Sequence, residues 1–456
     1  MGRWLLGEGG VGDWQERLDA VHDLARAGML EEALRVLEGP APERGELPDL
    51  NWGSTPMVGY TRGWLLGGLG REEDARAACR AAAAADPDHC FPARLEEILV
   101  LEDAMRREPE DAWAPYYLGN LLYDRRRHEE AMRCWERSAR LDPSWSGVWR
   151  NLGMGWYNVR GDGRRARGAY ERAVKAGPDE ARIGYERDQL WKRLGVGAKR
   201  RWREMARRPE LVKARDDLRI EWGCLCLQVG RWEEAREVLR QRGFQPWEGG
   251  EGLAVALHTR VHLALGQRCL MEGDATSARG WFEQAWAIPE ALGEARHLLS
   301  NPADVHYWLG MVLDRMGQPK EAREHWEAAA GFQGDFQDMS VRAYSEATYY
   351  QALSLGCLGR GKEKRDLLRS WLAEARRMER TPARVDYFAT SLPSLLLFTE
   401  DAEERQGTTV RLWRAQAWWG LGQQSKGRAL LREVLERDPH HAVAVDLDRV
   451  WGWFPK

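Results

Sequence analysis

His258 and His262 stand four residues apart, a spacing that puts two imidazoles on one face of a helix in the manner of paired zinc ligands. The residue after His258 is Thr259, where metal-assisted hydrolysis would need a Glu base, and no third ligand is evident. The pair is therefore expected to pack or to face a groove, and no metal is expected. Gly7-Glu-Gly9-Gly10-Val-Gly12 has the spacing of a dinucleotide-binding loop but lacks the preceding strand, and reads as a flexible lead-in. In the loop Pro246-Trp247-Glu248-Gly249-Gly250-Glu251 an indole sits beside two carboxylates. That combination suits a sugar, with CH faces on the ring and hydroxyls on the acids. Trp247, Glu248 and Glu251 are thus the candidate carbohydrate site, against the simpler reading of a structured connection. Lys199–Arg208 gathers six cations in ten residues around Trp202, the composition of a nucleic-acid patch. In a chain of net charge −3 it is expected to be a solvated helix face, and nucleic acid is not an expected partner. His440-His441 after Asp438-Pro439 reads as a helix exit. No carboxylate pair, Gly-x-Ser-x-Gly, Cys/His pairing or phosphate loop can be assigned. No catalytic residue and no cofactor are expected, and the chain reads as a non-enzyme.

The elements that would position these residues follow from the composition. At 456 residues the chain exceeds the size at which one compact core stops growing, so several domains or a repeat array are required. Lys+Arg 68 against Asp+Glu 71 gives no global field toward nucleic acid or an acidic membrane. No apolar run of about 18 residues would span a bilayer, and the first residues lack the apolar core of a signal peptide. The expectation is a soluble cytoplasmic protein. The seven cysteines make no paired framework; Cys224 and Cys226, two apart on a helix, point away from each other, and all seven read as small buried hydrophobes. Arg supplies 59 of the 68 basic residues and Trp occurs 24 times, an excess that must either fill cores or line a binding surface.

A recurring unit accounts for much of it. Trp149-x2-Leu152-Gly153-x2-Trp156 is followed by Ala166-x3-Tyr170 and Pro178; Leu118-Gly119-x2-Leu122 is followed by Ala131-x3-Trp135 and Asp142-Pro143. Trp222-Gly223 with Ala235-x3-Leu239, Leu265-Gly266 with Ala278-x3-Phe282, and Leu309-Gly310 with Ala322-x3-Trp326 repeat the pattern, and weaker copies surround Ala33, Ala75 and Trp418. Glycines at 28, 70, 230, 273, 317, 359 and 422 fall just past apolar-periodic runs, where a helix ends in a left-handed residue. The spacing between landmark alanines is 35 residues from Ala131 to Ala166 but 43 and 44 across Ala235, Ala278 and Ala322, which implies insertions or longer helices in the later units. No stretch alternates with period two, so no strand is expected.

These units resemble the tetratricopeptide repeat. The resemblance implies an all-α fold, an α-solenoid wound as a right-handed superhelix of about nine helical hairpins. A narrower resemblance rests on Phe244–Gly252, Gly334–Glu346 and Val385–Pro393. These look like the repeat half of bacterial proteins whose N-terminal β-sandwich is similar to galactose mutarotase. That domain is not in this sequence, so nothing residing in it carries over. In peptide-binding members the second, fifth, ninth and twelfth positions of each first helix face the groove. Here they are Trp113, Tyr116, Asn120 and Tyr123, then Arg150, Met154 and Tyr157. Asn120 and Asn151 match the two asparagines of the family's carboxylate clamp, but Tyr116 replaces its lysine, which points to an aromatic, hydrogen-bonding groove.

The segments expected are an N-terminal repeat or cap over 1–38, repeats over 57–180, divergent repeats over 181–242, repeats with an inserted loop over 243–332, and divergent repeats with a cap over 333–456. The function expected is a scaffold that binds a protein or peptide segment along its concave face. Carbohydrate binding at the Trp247 loop is one alternative, and head-to-tail self-assembly through exposed terminal residues Trp451, Trp453 and Phe454 is the other.

Overall fold

The structure, a computed structural model, describes residues 13–39, 53–245, 247, 250–337, 340–383 and 397–452. They contain 23 α-helices and fall into two compact units, Met1–Asp179 and Glu180–Lys456. The architecture is an all-α solenoid of antiparallel hairpins.

In unit 1 the hairpins are Trp14–Arg26 with Leu30–Leu37, Thr55–Gly68 with Glu72–Ala83, Trp113–Asp124 with His128–Leu141, and Ser146–Asn158 with Gly163–Ala176. A single helix, Glu96–Arg107, lies between the second and third and packs on Thr55–Gly68 and Trp113–Asp124. In unit 2 the clearest hairpins are Asp216–Gln228 with Trp232–Gln241, Leu253–Met271 with Ala275–Trp286, Ala303–Arg315 with Pro319–Gly331, and Ala402–Gly420 with Gln424–Arg437. Thr348–Cys357 packs on Gly361–Glu379, which leans on Ala402–Gly420. The helix Ala442–Gly452 closes the unit.

The repeat residues make each hairpin by letting its two helices touch. Landmark alanines 131, 166, 235, 278 and 322 are all completely buried. Opposite them, a methyl added at Gly119, Gly153, Gly266 or Gly310 would come within 2.3–2.5 Å of Trp135, Tyr170, Phe282 or Trp326, respectively. Each aromatic ring therefore lies on a bare backbone, and alanine there would force the helices apart. The glycines at the hairpin tips take φ between +61° and +87°, and the carbonyls at the helix ends are bonded by the residues that follow, as Gly230 N to Leu227 O and Arg231 N to Cys226 O. The tip of Trp113–Asp124 departs from this rule, because Arg126 holds φ +60° there.

Several expectations are corrected. Asp335–Gln337 and Ser340–Arg342 form an antiparallel two-stranded ribbon with Phe336 opposite Val341, too short for any alternation to show in sequence. The first helix of the segment expected to hold repeats from 57, Thr55–Gly68, starts two residues earlier; residues 40–52 lie outside the described residues. The longer spacing of the later repeats comes from the 19-residue helix Leu253–Met271 and the largely irregular connection that follows Trp286.

The basic run on Ala198–Ala206 is not simply a solvated face. Arg201 is completely buried, its guanidinium shared between Asp188 (3.0 and 2.5 Å) and Glu221 (2.6 Å). Burial would raise the Glu221 carboxyl, but Lys192 and Arg201 outweigh it and hold the group down at about 2. Arg219, also buried, donates to the carbonyls of Val238, Arg242 and Gly243 and lies over the Phe244 ring. Such forked clamps need a guanidinium, which gives a structural use for part of the Arg excess. The cysteines are all free; Cys79, Cys90, Cys226 and Cys269 are buried as expected, Cys134 and Cys224 only partly, and Cys357 is exposed.

Candidate functional site

The candidate groove of unit 1 starts from a buried acid. Asp111 accepts the Tyr60 hydroxyl at 2.7 Å and the backbone N–H groups of Trp113 (2.7 Å) and Ala114 (3.3 Å). Its carboxyl is pushed up by burial, against the pull of these donors. This bond set fixes the start of the Trp113–Asp124 helix on the preceding hairpin, and the 3–4 residue spacing then aligns Trp113, Tyr116, Asn120 and Tyr123 on one side.

Trp113 and Tyr116 meet edge to face with ring centres 5.9 Å apart. Two residues absent from the sequence-level set complete the cluster. Tyr117 stacks on Trp113 at 6.1 Å, and Trp145 packs against both Trp113 (5.0 Å) and Tyr116 (6.1 Å). A side chain at Gly147 would strike the Trp145 ring at 2.6 Å, so the glycine after the Pro143-Ser144-Trp145 turn admits this packing. A Trp followed two residues later by Gly at a helix start is the sequence signal for this packing. The Trp145 Nε1–H is buried with no acceptor among the described residues.

Asn120 and Asn151 are brought together, but by bonding to each other. Asn120 Oδ1 accepts from Asn151 Nδ2 at 2.8 Å and from Trp135 Nε1 at 3.0 Å, and Arg150 donates to Asn151 Oδ1 at 3.2 Å. The two amides join adjacent hairpins, and Asn151 is buried. Tyr123 stands apart from the Trp113 cluster, its ring 5.2 Å from Trp135 and 4.6 Å from His128. Tyr157 and Met154 are half-buried on the next first helix.

The remaining candidates are placed as follows. The Trp247 ring covers Gly250 so closely that a methyl there would lie 2.0 Å from it; Glu251 is exposed. Glu248 lies outside the described residues, as do Gly7–Gly12, Val385–Pro393, Trp453 and Phe454. Trp451, expected at an exposed end, is instead buried. His258 and His262 are buried with rings 4.2 Å apart; His258 Nε2 bonds the Gln284 carbonyl and His262 Nδ1 the His258 carbonyl, both at 2.8 Å. Burial lowers both, His262 to about 4, so they are neutral packed rings at pH 7. No group of three metal-ligating side chains occurs among the described residues, and no helix there is long and apolar enough to cross a membrane. Unit 1 also has a recess of about 530 Å³ lined by Trp64, exposed Leu99, Glu102, Met105, Arg106 and Arg137.

The family model of the tetratricopeptide repeat matches residues 225–241 and 303–328. These fall on the Asp216–Gln228/Trp232–Gln241 hairpin and on Ala303–Arg315/Pro319–Gly331. Among solved structures, the chain is similar to MamA (41-end) from Desulfovibrio magneticus RS-1, at 19% identity over 44% of this chain and 96% of that one, with a TM-score of 0.25. It is also similar to a tetratricopeptide repeat protein from Parabacteroides merdae, at 12% identity over 66% and 100% of the two chains, TM-score 0.29. The repeat protein YrrB, described as having an unusual peptide-binding site, shares 18% identity over 51% and 92%, TM-score 0.21.

Proposed function

We propose that this chain is a non-enzymatic interaction scaffold that binds a peptide segment of a partner protein on the first helices of unit 1. The observation that carries the reading is the Trp113–Tyr116–Trp145 cluster, three large rings left half-buried beside the bonded pair Asn120–Asn151. Half-covered rings held rigid by neighbours give contact area with little conformational entropy to lose on binding. The amide pair fixes the spacing of adjacent hairpins beneath them. Trp113, Tyr116 and Trp145 are therefore assigned the contact, and Asn120, Arg150 and Asn151 the positioning of those contacts. Repeat arrays serve this purpose because successive first helices present a continuous surface to an extended chain.

The test is Tyr116→Ala in the full chain, with Tyr116→Phe as the conservative control. Tyr116→Ala is expected to lower partner recovery by about tenfold or more, as for a hot-spot aromatic, while helix content and melting stay at wild-type values and Tyr116→Phe retains most of the recovery. Unchanged recovery with Tyr116→Ala would reject the reading.

A further inference from the structure

The last described helix, Ala442–Gly452, follows its hairpin after only four residues, Asp438–His441, yet its polar contacts reach far back along unit 2. Arg260 Nε donates to Asp446 at 2.7 Å, and its NH2 group to the Ala442 carbonyl at 3.4 Å. Arg449 donates to Gln267 Oε1 at 3.3 Å, and the Trp451 indole N–H to the Tyr349 hydroxyl at 3.1 Å. At the hinge, the His440 ring bonds the Val196 carbonyl (2.9 Å) and the Gln228 side-chain amide (3.1 Å). The receiving residues stand on three first helices of the unit: Gln228 on Asp216–Gln228, Arg260 and Gln267 on Leu253–Met271, Tyr349 on Thr348–Cys357. Apolar residues Ala444, Leu447, Val450 and Trp451 are buried, and Trp451 stacks on Trp419 of the preceding hairpin with ring centres 4.0 Å apart.

This is the pattern of a helix bound in a groove, with its anchors read off at short helical spacings. We propose that the first-helix row Gln228, Arg260, Gln267 and Tyr349 is a helix-binding site that the chain closes with its own C-terminal helix. It accepts in that helix's place a partner helix with a carboxylate for Arg260, a donor side chain three residues on for Gln267, and an indole two residues further for Tyr349. One feature makes the closing helix displaceable: its eleven residues are too few to hold a helix unaided. The Arg260–Asp446 ion pair keeps only 16% and 21% side-chain exposure, so it is largely desolvated and loss of either partner opens the closure. The short tether works the other way, because it supplies the helix at an effective concentration on the order of millimolar. An untethered helix of equal intrinsic strength therefore competes only at that level until the closure is weakened.

The experiment uses the full chain and a fluorescent peptide of residues 438–452 as the probe. In Asp446→Ala/Trp451→Ala chain the peptide is expected to bind at a concentration about 100-fold lower than it needs on the wild-type chain. Adding Arg260→Ala to that variant is expected to weaken binding about tenfold or more, as loss of a charged hydrogen-bond partner does. A double variant with wild-type helix content and melting that gains no peptide binding, or whose binding ignores Arg260→Ala, overturns the proposal. Should the variant fail to fold, hydrogen exchange on the unaltered chain decides. Amides of Ala442–Gly452 are expected to exchange about tenfold or more faster than those of Ala303–Arg315, through local opening. Equal protection of the two helices marks a permanent core element and overturns the proposal as well.

Discussion

The two units are built from the same hairpin and differ in what lies on their first helices. In unit 1 the row beginning at Trp113 carries aromatic rings that remain half-buried, and Asn120 and Asn151 bond to each other, to Trp135 and to Arg150. In unit 2 Gln228, Arg260, Gln267 and Tyr349 on first helices, together with Val196, are bonded to a segment 102 to 244 residues downstream. The polar content of the two interiors follows the same division. Unit 2 buries Arg201 and Arg219 among carboxylates and carbonyls, whereas unit 1 fixes its helices with Tyr60 and Asp111. One repeat chemistry thus supports a half-buried aromatic cluster in one unit and a polar self-contact in the other, because the hairpin fold constrains the residues between its helices and leaves the outer positions of each first helix free to vary.

Acid should separate the units most strongly. His262, His306 and His440 in unit 2 are each lowered to about 4, chiefly by burial, from an ordinary value of 6.5. Between these values the unfolded state holds more protons than the folded one. The histidine contribution to stability is therefore complete above pH 6.5 and is lost as pH falls toward 4. Unit 1 brings His22 to the same titration. Hydrogen exchange across pH 7 to 4, read separately on peptides from 13–176 and 181–452, is expected to show unit 2 opening first. Equal loss in both units would erase this difference.

Substitutions should produce smaller and more local effects. Arg201→Met leaves Asp188 and Glu221 buried without their shared guanidinium, and is expected to destabilise unit 2 by about 3–5 kcal/mol in urea unfolding. Its effect on exchange from unit 1 should be slight. Tyr60→Phe removes the hydroxyl that bonds Asp111 and is expected to cost unit 1 about 1–3 kcal/mol. If it also loosens exchange at Trp113–Asp124, the acid is confirmed as the anchor of the aromatic row. At the small end, Arg126→Gly removes a side chain from a left-handed residue and is expected to stabilise unit 1 by about 1 kcal/mol. That change would bring the hairpin tip into line with those of unit 2, where Gly230, Gly273 and Gly317 occupy the position.

What sequence could show of the site depended on range. Trp113, Tyr116, Asn120 and Tyr123 were legible because helical spacing is local. The contribution of Trp145 and the bond between Asn120 and Asn151 were not, since both cross from one hairpin to the next. The same boundary explains Arg201. Six cations in ten residues describe a solvated helix face until Asp188 and Glu221, 13 residues before and 20 after, are folded against one of them.

By itself the sequence determined the all-α repeat: glycine opposite each aromatic ring, alanine at the crossing of the helices, and glycine at most hairpin tips. These are contacts within about 20 residues, and each depends on a side chain being absent or small, a property that composition states directly. Only the tertiary structure decided that Trp113, Tyr116 and Trp145 meet in one half-buried cluster and that unit 2 receives the helix Ala442–Gly452. Arg260 and Asp446 are separated by 186 residues, and Trp451 and Tyr349 by 102. A carboxylate or an indole on a helix surface is chemically the same whether it faces water or another helix, so its role is set by the accumulated placement of the hairpins between.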